Sequence, residues 1–346
     1  MTKIQFFLIF CLFTISKNVN AQKENYKVYS IGFYNLENLF DTLDTPGKND
    51  EEFLPSGSYK WTGKRYLEKQ ERMATVIAKI GAELAKAPPT VIGFSEIENK
   101  SVLEDLINQD ALKEFNYGIC HIESPDKRGV DVGLIYRKDQ VTIDKVSSRD
   151  LRIKETYAGN NWEFASRNQL IVEAELAGEK CAFMVNHWPS RRAQSSYREA
   201  AGTLNRSIID SLRTIDPNIH CITMGDLNDD PTNKSVTKAL GAIGNSDKLS
   251  SKNILYNPFN KMYKKGLGTL AYRDSWNLFD QIIISKELKL NKEGLFFYRA
   301  EICNFSELKN KEGRYKGYPH RTYSGGNYSG GYSDHFPVVI YLIKQI

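Results

Sequence analysis

Polar groups of one chemical kind stand at the ends of several short apolar runs in this sequence. Residues 219–224 have the length and β-branched content of a buried strand, and Gly225-Asp226-Leu227-Asn228 follows at once. Side chains at i and i+2 of extended chain point the same way, so the Asp226 carboxylate and the Asn228 amide are expected to share a site. The pattern recurs with Asn35 and Glu37 after one run, Glu96 after a second and His187 after a third. Asp280 opens a further run, and Asp334-His335 precedes the last. Alone, each has an ordinary role: Asp226 to Pro231 as a polar turn, Asn35 as a turn cap, Glu96 as a solvated acid, either histidine as a satisfied structural group. Asp280 is harder to dismiss, because it follows Trp276-Asn277-Leu278-Phe279 and an unpaired acid among apolar residues is costly. As a set, carboxylate and amide oxygens without thiolates suit a hard divalent ion, Mg²⁺ first, with Ca²⁺ or Mn²⁺ as alternatives. Two histidines outside a tight ligand spacing suit proton transfer or anion stabilisation. Hydrolysis of a phosphate ester needs those parts: a metal, a base for water, and donors for the growing charge.

The elements that must position these groups follow from periodicity. Strands are predicted at 26–34, 91–94, 117–122, 130–136, 169–176, 180–185, 219–224, 279–285 and 336–342. Helices are predicted at 64–84, where Met73, Val76, Ile77, Ile80 and Leu84 share a face, at 102–112, and at 195–213. Residues 42–63 form a polar loop bearing Gly and Pro. Residues 323–332, rich in Gly, Ser and Tyr, have the composition of a flexible surface loop, yet they lead directly into Ser333-Asp334-His335. No interior linker divides the chain, and the polar clusters run from residue 35 to 335. The expectation is one α+β domain over residues 22–346 with two sheets packed together.

Residues 1–21 stand apart. Lys3 precedes an uncharged apolar run and the segment ends Val19-Asn20-Ala21, which fits a secretory signal too short to span a bilayer as an ordinary helix. The protein is therefore expected to be exported, periplasmic or extracellular, with no stable membrane insertion once the signal is removed. Loss of Lys3 and Lys17 lowers the formal charge from +5 to +3, which permits anionic substrates without arguing for them. At 346 residues, 41% hydrophobic and 26% charged, there is ample material for a large core. Cys120, Cys181, Cys221 and Cys303 show no zinc spacing, and a free buried thiol is the commoner state in core strands.

Tyr34-Asn35-Leu36-Glu37-Asn38, Phe94-Ser95-Glu96, Asn186-His187, Gly225-Asp226-Leu227-Asn228, Phe279-Asp280-Gln281 and Ser333-Asp334-His335 occur in the order of the endonuclease/exonuclease/phosphatase superfamily. The resemblance covers about residues 26–342, and Gly-Asp-x-Asn with a terminal Ser-Asp-His is a specific combination. The opening Asn-Leu-Glu-Asn-Leu-Phe-Asp, with a signal segment, resembles the secreted bacterial branch described as predicted extracellular nucleases. The resemblance implies a deoxyribonuclease-I-like, four-layered α/β/β/α sandwich of two mixed sheets flanked by helices. It also implies Glu96 as the principal metal ligand with Asn35, Glu37 and Asp334 nearby. Asp226 would orient or deprotonate water, and Asn228 would contact the phosphate. His335 paired with Asp280 would stabilise the transition state or act as an acid, and His187 would donate to phosphoryl oxygens.

Arg128 and Asp131, in the segment 128–137, are further candidates at the same edge. Arg191 and Arg192 could meet phosphate bidentately or simply begin a helix. With Trp188 and the Tyr-rich loop they could track a nucleic-acid backbone and stack on bases, which puts a nuclease of DNA or RNA first. The alternatives are a phosphatase or phosphodiesterase on lipid headgroups or inositol phosphates, and a binding protein that kept the fold without catalysis.

Overall fold

The protein is described by a computed structural model that covers residues 25–157 and 160–346, so the expected signal segment lies outside the described residues. The first sheet has six strands: β1 (Tyr26–Leu39), β2 (Val91–Ile97), β3 (Tyr117–His121), β4 (Asp131–Arg137), β12 (Phe296–Ile302) and β13 (Val338–Gln345), in the order β12-β13-β1-β2-β4-β3. The second has seven: β5 (Val141–Arg149), β6 (Gln169–Leu176), β7 (Glu179–His187), β8 (His220–Asp226), β9 (Ala242–Ile243), β10 (Leu255–Tyr256) and β11 (Asp280–Ser285), in the order β9-β10-β11-β8-β7-β6-β5. Both sheets are mixed, and each has a parallel pair near its centre, β1 with β2 and β7 with β8. Parallel neighbours finish together, so the carboxyl ends of each pair can present side chains at one edge.

Alternation along the strands builds three apolar layers. Ile31, Phe33, Val132 and Ile340 of the first sheet meet Phe183, Val185, Ile222 and Ile282 of the second between the sheets. The opposite face of the first sheet, with Phe94 and Val339, is covered by Met73, Val76 and Ile77 of helix α1 (Gly63–Lys79) and by Leu103 of α2 (Lys100–Ile107). On the far side, Ala201, Ile208 and Leu212 of α3 (Ser195–Ile215) cover Met184, Cys221 and Ile283. The result is the four-layered sandwich that the sequence led one to expect. Among the described residues, Cys120, Cys181, Cys221 and Cys303 are free and buried, and no helix is long and apolar enough to cross a membrane.

Differences from the expected elements have local causes. The helix expected over 64–84 stops at Lys79, because Gly81 takes a left-handed φ of 74° before the single turn Ala82–Ala85. Strands β5 and β12, absent from the expectation, are edge strands. β5 is largely exposed and rich in polar residues, and a register shift breaks β12 between Phe297 and Arg299.

The sheets approach closely at Gly93 on β2, where an added Cβ would lie 2.7 Å from Met224 Sδ and 3.0 Å from a Val185 methyl. Gly93→Val is expected to lower stability by about 1–3 kcal/mol through overpacking, read as a fall in the urea midpoint. An unchanged midpoint would contradict close packing of the sheets at this point.

Candidate active site

Strand register does the first part of the assembly. Asp226 ends β8, and its ladder partners are His187 on β7 and Asp280 on β11. Asn35 on β1 pairs with Ser95 on β2, and its Nδ2 crosses between the sheets to donate to Asp226 Oδ2 at 3.1 Å. Glu96 sits where the β2–β4 register shifts, with a φ of 58°. A bulge of this kind re-aims a side chain at a sheet edge. Glu37, Asn38 and Asn228 also adopt positive φ, at 48°, 55° and 50°. Non-glycine residues enter that region at a cost, and such residues gather at functional sites.

Asp226 Oδ2 is the hub. His187 Nε2 lies 3.7 Å from it and 3.7 Å from Glu96 Oε1, while His335 Nε2 lies 3.9 Å away. These separations exceed hydrogen-bond length, so the two imidazoles and two carboxylates converge on a shared space. Asp226 Oδ1 accepts the Asn228 N–H at 3.0 Å. That contact departs from the expected i, i+2 arrangement: the chain turns at Asn228, whose amide donates to the Trp188 carbonyl. On the other side, His335 Nδ1 is 2.7 Å from Asp280 Oδ2. Asp280 is fully buried, and the imidazole partners its charge.

The surroundings set the charges. Burial, with Asp280 and Glu96 nearby, pushes the Asp226 carboxyl up to about 7 against the pull of His335 and the Asn228 N–H. Burial disfavours a charged His335, but Asp280, Asp334 and Asp226 outweigh it and hold the imidazolium well above its usual range. His187 goes the other way. Burial, then Arg167 and Arg128, push it well below its usual value and leave it neutral.

A second tier surrounds Glu37 and Asp334. Arg321 pairs with Asp334 and reaches Glu37 Oε1 at 3.4 Å, and the Thr322 N–H donates to Glu37 Oε2 at 2.6 Å. Lys69 Nζ donates to the Glu37 carbonyl at 2.6 Å and to Thr322 Oγ1 at 2.8 Å. Burial and Asp334 push the Glu37 carboxyl up to about 7 despite these cations. Burial lowers Lys69 to about 8, although Glu37, Glu96 and Asp334 oppose the shift.

The nine polar residues from Asn35 to His335 named in the sequence thus come to one edge, but the four outlying candidates divide. Arg191 does not point to a substrate: it donates to the Asn228 carbonyl, Asn277, Asn233 and Asp230, with its guanidinium over the Phe279 ring. Asp131 is held by His121 Nε2 at 2.9 Å and the Ser124 N–H at 3.1 Å. Arg128 and Arg192 remain exposed beside a cleft of about 1020 Å³ that also contains Glu96, His187, Asp226 and His335. Trp188 cannot stack on bases, being buried with its indole N–H on Asn186.

Three functional-looking residues escaped sequence reasoning. Arg167 is buried, donates to the carbonyls of His187 and Trp188, and pairs with Asp126 at 3.2 Å. Arg321 lies in an irregular loop that carries no periodic signal. Lys69 did leave one: it falls on the apolar stripe of α1, four residues before Met73, where a charge is out of place.

The donor set fits a hard divalent cation. Glu96, His187 and Asp226 offer ligand atoms within 4.8 Å of one another. Five carboxylates, Glu37, Glu96, Asp226, Asp280 and Asp334, gather at this edge, and a divalent ion would offset part of their charge.

The chain matches the endonuclease/exonuclease/phosphatase family over residues 30–344. Among curated proteins none matches the sequence. Similar solved structures include an endonuclease/exonuclease/phosphatase family protein from Bacteroides thetaiotaomicron, at 17% identity and a TM-score of 0.54, covering 93% of this chain and 97% of that one. D. rerio TDP2 complexed with single strand DNA product aligns at 16% identity and a TM-score of 0.52, over 91% of this chain and 98% of that one. A Bacteroides thetaiotaomicron mannosyl-6-phosphatase aligns at 18% identity and 0.52, over 91% and 99%. The match across nearly all the described chain, on the same two-sheet sandwich, shows that the protein belongs to the endonuclease/exonuclease/phosphatase family, a family of phosphoester hydrolases.

Proposed function

We propose that the protein is an exported, divalent-metal-dependent phosphodiesterase, with nucleic acid as its first substrate class. The observation that carries the reading is the convergence of Asp226, Glu96, His187 and His335 on one space at the sheet edge. A bound metal ion, held by Glu96 with Asn35, Glu37 and Asp334 around it, would supply charge to the phosphoryl oxygens. Asp226 accepts a proton from water as the water oxygen bonds to phosphorus, in line with the P–O bond that breaks. Its raised pKa makes it a usable base near neutral pH. His335, kept protonated by Asp280, donates from Nε2 to the oxygen on which negative charge develops. Neutral His187 donates to a phosphoryl oxygen, its backbone fixed by Arg167. Asn228 supports Asp226 through its backbone N–H, and the Nδ2 hydrogen not given to the Trp188 carbonyl can donate to the phosphate.

Arg128 and Arg192 suit the phosphates that flank the scissile one. With Arg191 and Trp188 engaged inside the protein, the basis for tracking a long polynucleotide is narrower than the sequence implied. A second reading, hydrolysis of a phosphorylated sugar or other small phosphoester, is favoured by a cavity of about 510 Å³ next to Glu37 and Arg321. Both substrate classes are represented among the similar folds, one complexed with single strand DNA product and one a mannosyl-6-phosphatase.

With bis(p-nitrophenyl) phosphate and Mg²⁺, Glu96→Gln, Asp226→Asn and His335→Ala are each expected to lower kcat/KM by at least about a hundredfold, and EDTA to abolish turnover. Near-normal metal-dependent hydrolysis in Asp226→Asn or His335→Ala would remove those roles. The pH profile gives a separate check. Activity should rise as Asp226 loses its proton around pH 7 and fall at higher pH as His335 loses its own. Asp280 raises both groups, so Asp280→Asn should move both limbs to lower pH, and unmoved limbs would contradict the coupling. Export predicts that the protein recovered outside the cytoplasm starts near Gln22, and recovery only as the full-length cytoplasmic chain would refute it.

A further inference from the structure

The two segments read from the sequence as loops, residues 42–63 and 323–332, face each other beside the catalytic cluster. Glu37 and Arg321 border the cavity of about 510 Å³ between them. These are the residues already linked to Asp334, so a group lodged there is within reach of a phosphate at the hub. Arg128 and Arg192 border both this cavity and the cleft that holds Glu96 and His335, which makes the two spaces neighbours.

The loops are tied together by rings. Phe40 stacks on Phe53 at 4.3 Å, Phe53 meets Tyr59 at 5.0 Å, and Tyr59 meets Tyr323 at 4.6 Å. The Tyr323 hydroxyl also donates to the Tyr59 carbonyl at 2.9 Å. Lys69, joined to both Glu37 and Thr322, fastens the chain entering the second loop to the end of β1. The Tyr-rich loop, expected to offer faces to bases, instead spends its rings on its own neighbours. What the cavity offers a ligand is therefore mostly polar: Asn38, Asn49 and Glu52, with the guanidinium groups of Arg128, Arg192 and Arg321 at its border.

We propose that this cavity receives one hydroxyl-bearing sugar ring, the ring esterified to the scissile phosphate. The inference rests on the phosphodiesterase reading and narrows it: the protein reads a terminal sugar rather than the interior of a polymer. Its volume lies toward the lower part of the range for small-ligand sites, about 300–1,000 Å³, which suits a single ring. Sugar hydroxyls donate and accept at once, and the amides of Asn38 and Asn49 with the Glu52 carboxylate supply both complements. A lipid chain would find too little apolar wall here. A nucleobase sandwich would need ring faces that Phe53 and Tyr59 have already committed.

The test compares the purified protein with Glu52→Gln and Asn49→Ala, in Mg²⁺, on four substrates. These are a hexose 6-phosphate methyl diester, a dinucleotide, closed circular single-stranded DNA, and bis(p-nitrophenyl) phosphate, which has no sugar. The proposal expects kcat/KM on the preferred sugar-bearing substrate to fall at least ten times more than on bis(p-nitrophenyl) phosphate, through KM. Preference for the hexose ester identifies a glycan or free sugar as the source, and preference for the dinucleotide identifies a nucleic-acid end. Equal effects on all substrates, or circular DNA cut as efficiently as either small substrate, overturn the pocket assignment while leaving hydrolysis intact. No turnover of bis(p-nitrophenyl) phosphate by the unaltered protein, or of any other substrate, removes the parent reading and the pocket together.

Discussion

The hydrogen bond from Asn35 Nδ2 to Asp226 Oδ2 is where the two sheets become one site. Asn35 is fully buried, so each of its polar groups must find a partner or bear a desolvation cost. It finds one of them two residues along its own strand and two in distant parts of the chain. Its Oδ1 accepts the Glu37 N–H at 2.9 Å, its Nδ2 serves Asp226, and its carbonyl accepts the Ser333 hydroxyl at 2.7 Å. Ser333 Oγ in turn accepts the His335 N–H at 3.1 Å. One amide residue thereby sets the spacing between the end of β1, the carboxylate at the end of β8 and the histidine before β13. Satisfying a buried polar group and assembling the hub are the same event.

His187 is positioned with similar economy. Asn186 donates to Thr223 Oγ1 at 2.8 Å, and Asn205 of α3 donates to Gln169 at 2.9 Å and to Asn186 at 3.2 Å. This network lies between the second sheet and its covering helix, so the helix fixes the end of β7 and not merely its apolar face. Excess negative charge is the other constraint. Burial first, and neighbouring acids second, raise the carboxyls of Glu37 and Asp226, and a divalent cation is the group that would relieve them.

Much of this was legible in the sequence, for a physical reason. Strands that are buried on both faces, such as β8 and β2, read as continuous apolar runs, and the polar residue that ends such a run has few places to go but the sheet edge. Asn35, Glu96, His187, Asp226 and Asp280 are found in that way. Two kinds of residue were not readable. Arg191 and Trp188 have the chemistry of ligand-binding groups, but their partners at Asp230 and Asn186 are tertiary, and no local pattern announces them. Arg167 and Arg321 sit in irregular chain whose course is set by what surrounds it. Asn228 is a case of turn chemistry overriding strand periodicity: its N–H bonds the Asp226 side chain, the chain reverses, and the i, i+2 rule stops applying. Lys69, by contrast, was visible as a charge on an apolar helical stripe.

The central claim is that side chains from both sheets act as one catalytic unit. A double-mutant cycle on Glu96→Gln and Asp226→Asn tests it directly, one residue coming from β2 of the first sheet and the other from the end of β8 in the second. The measurement is kcat/KM for bis(p-nitrophenyl) phosphate in saturating Mg²⁺. A single unit predicts that the double variant is scarcely worse than the poorer single one, because either loss already disables the same transition state. Losses that multiply, each independent of the other, would mean that the two residues do not share a reaction centre.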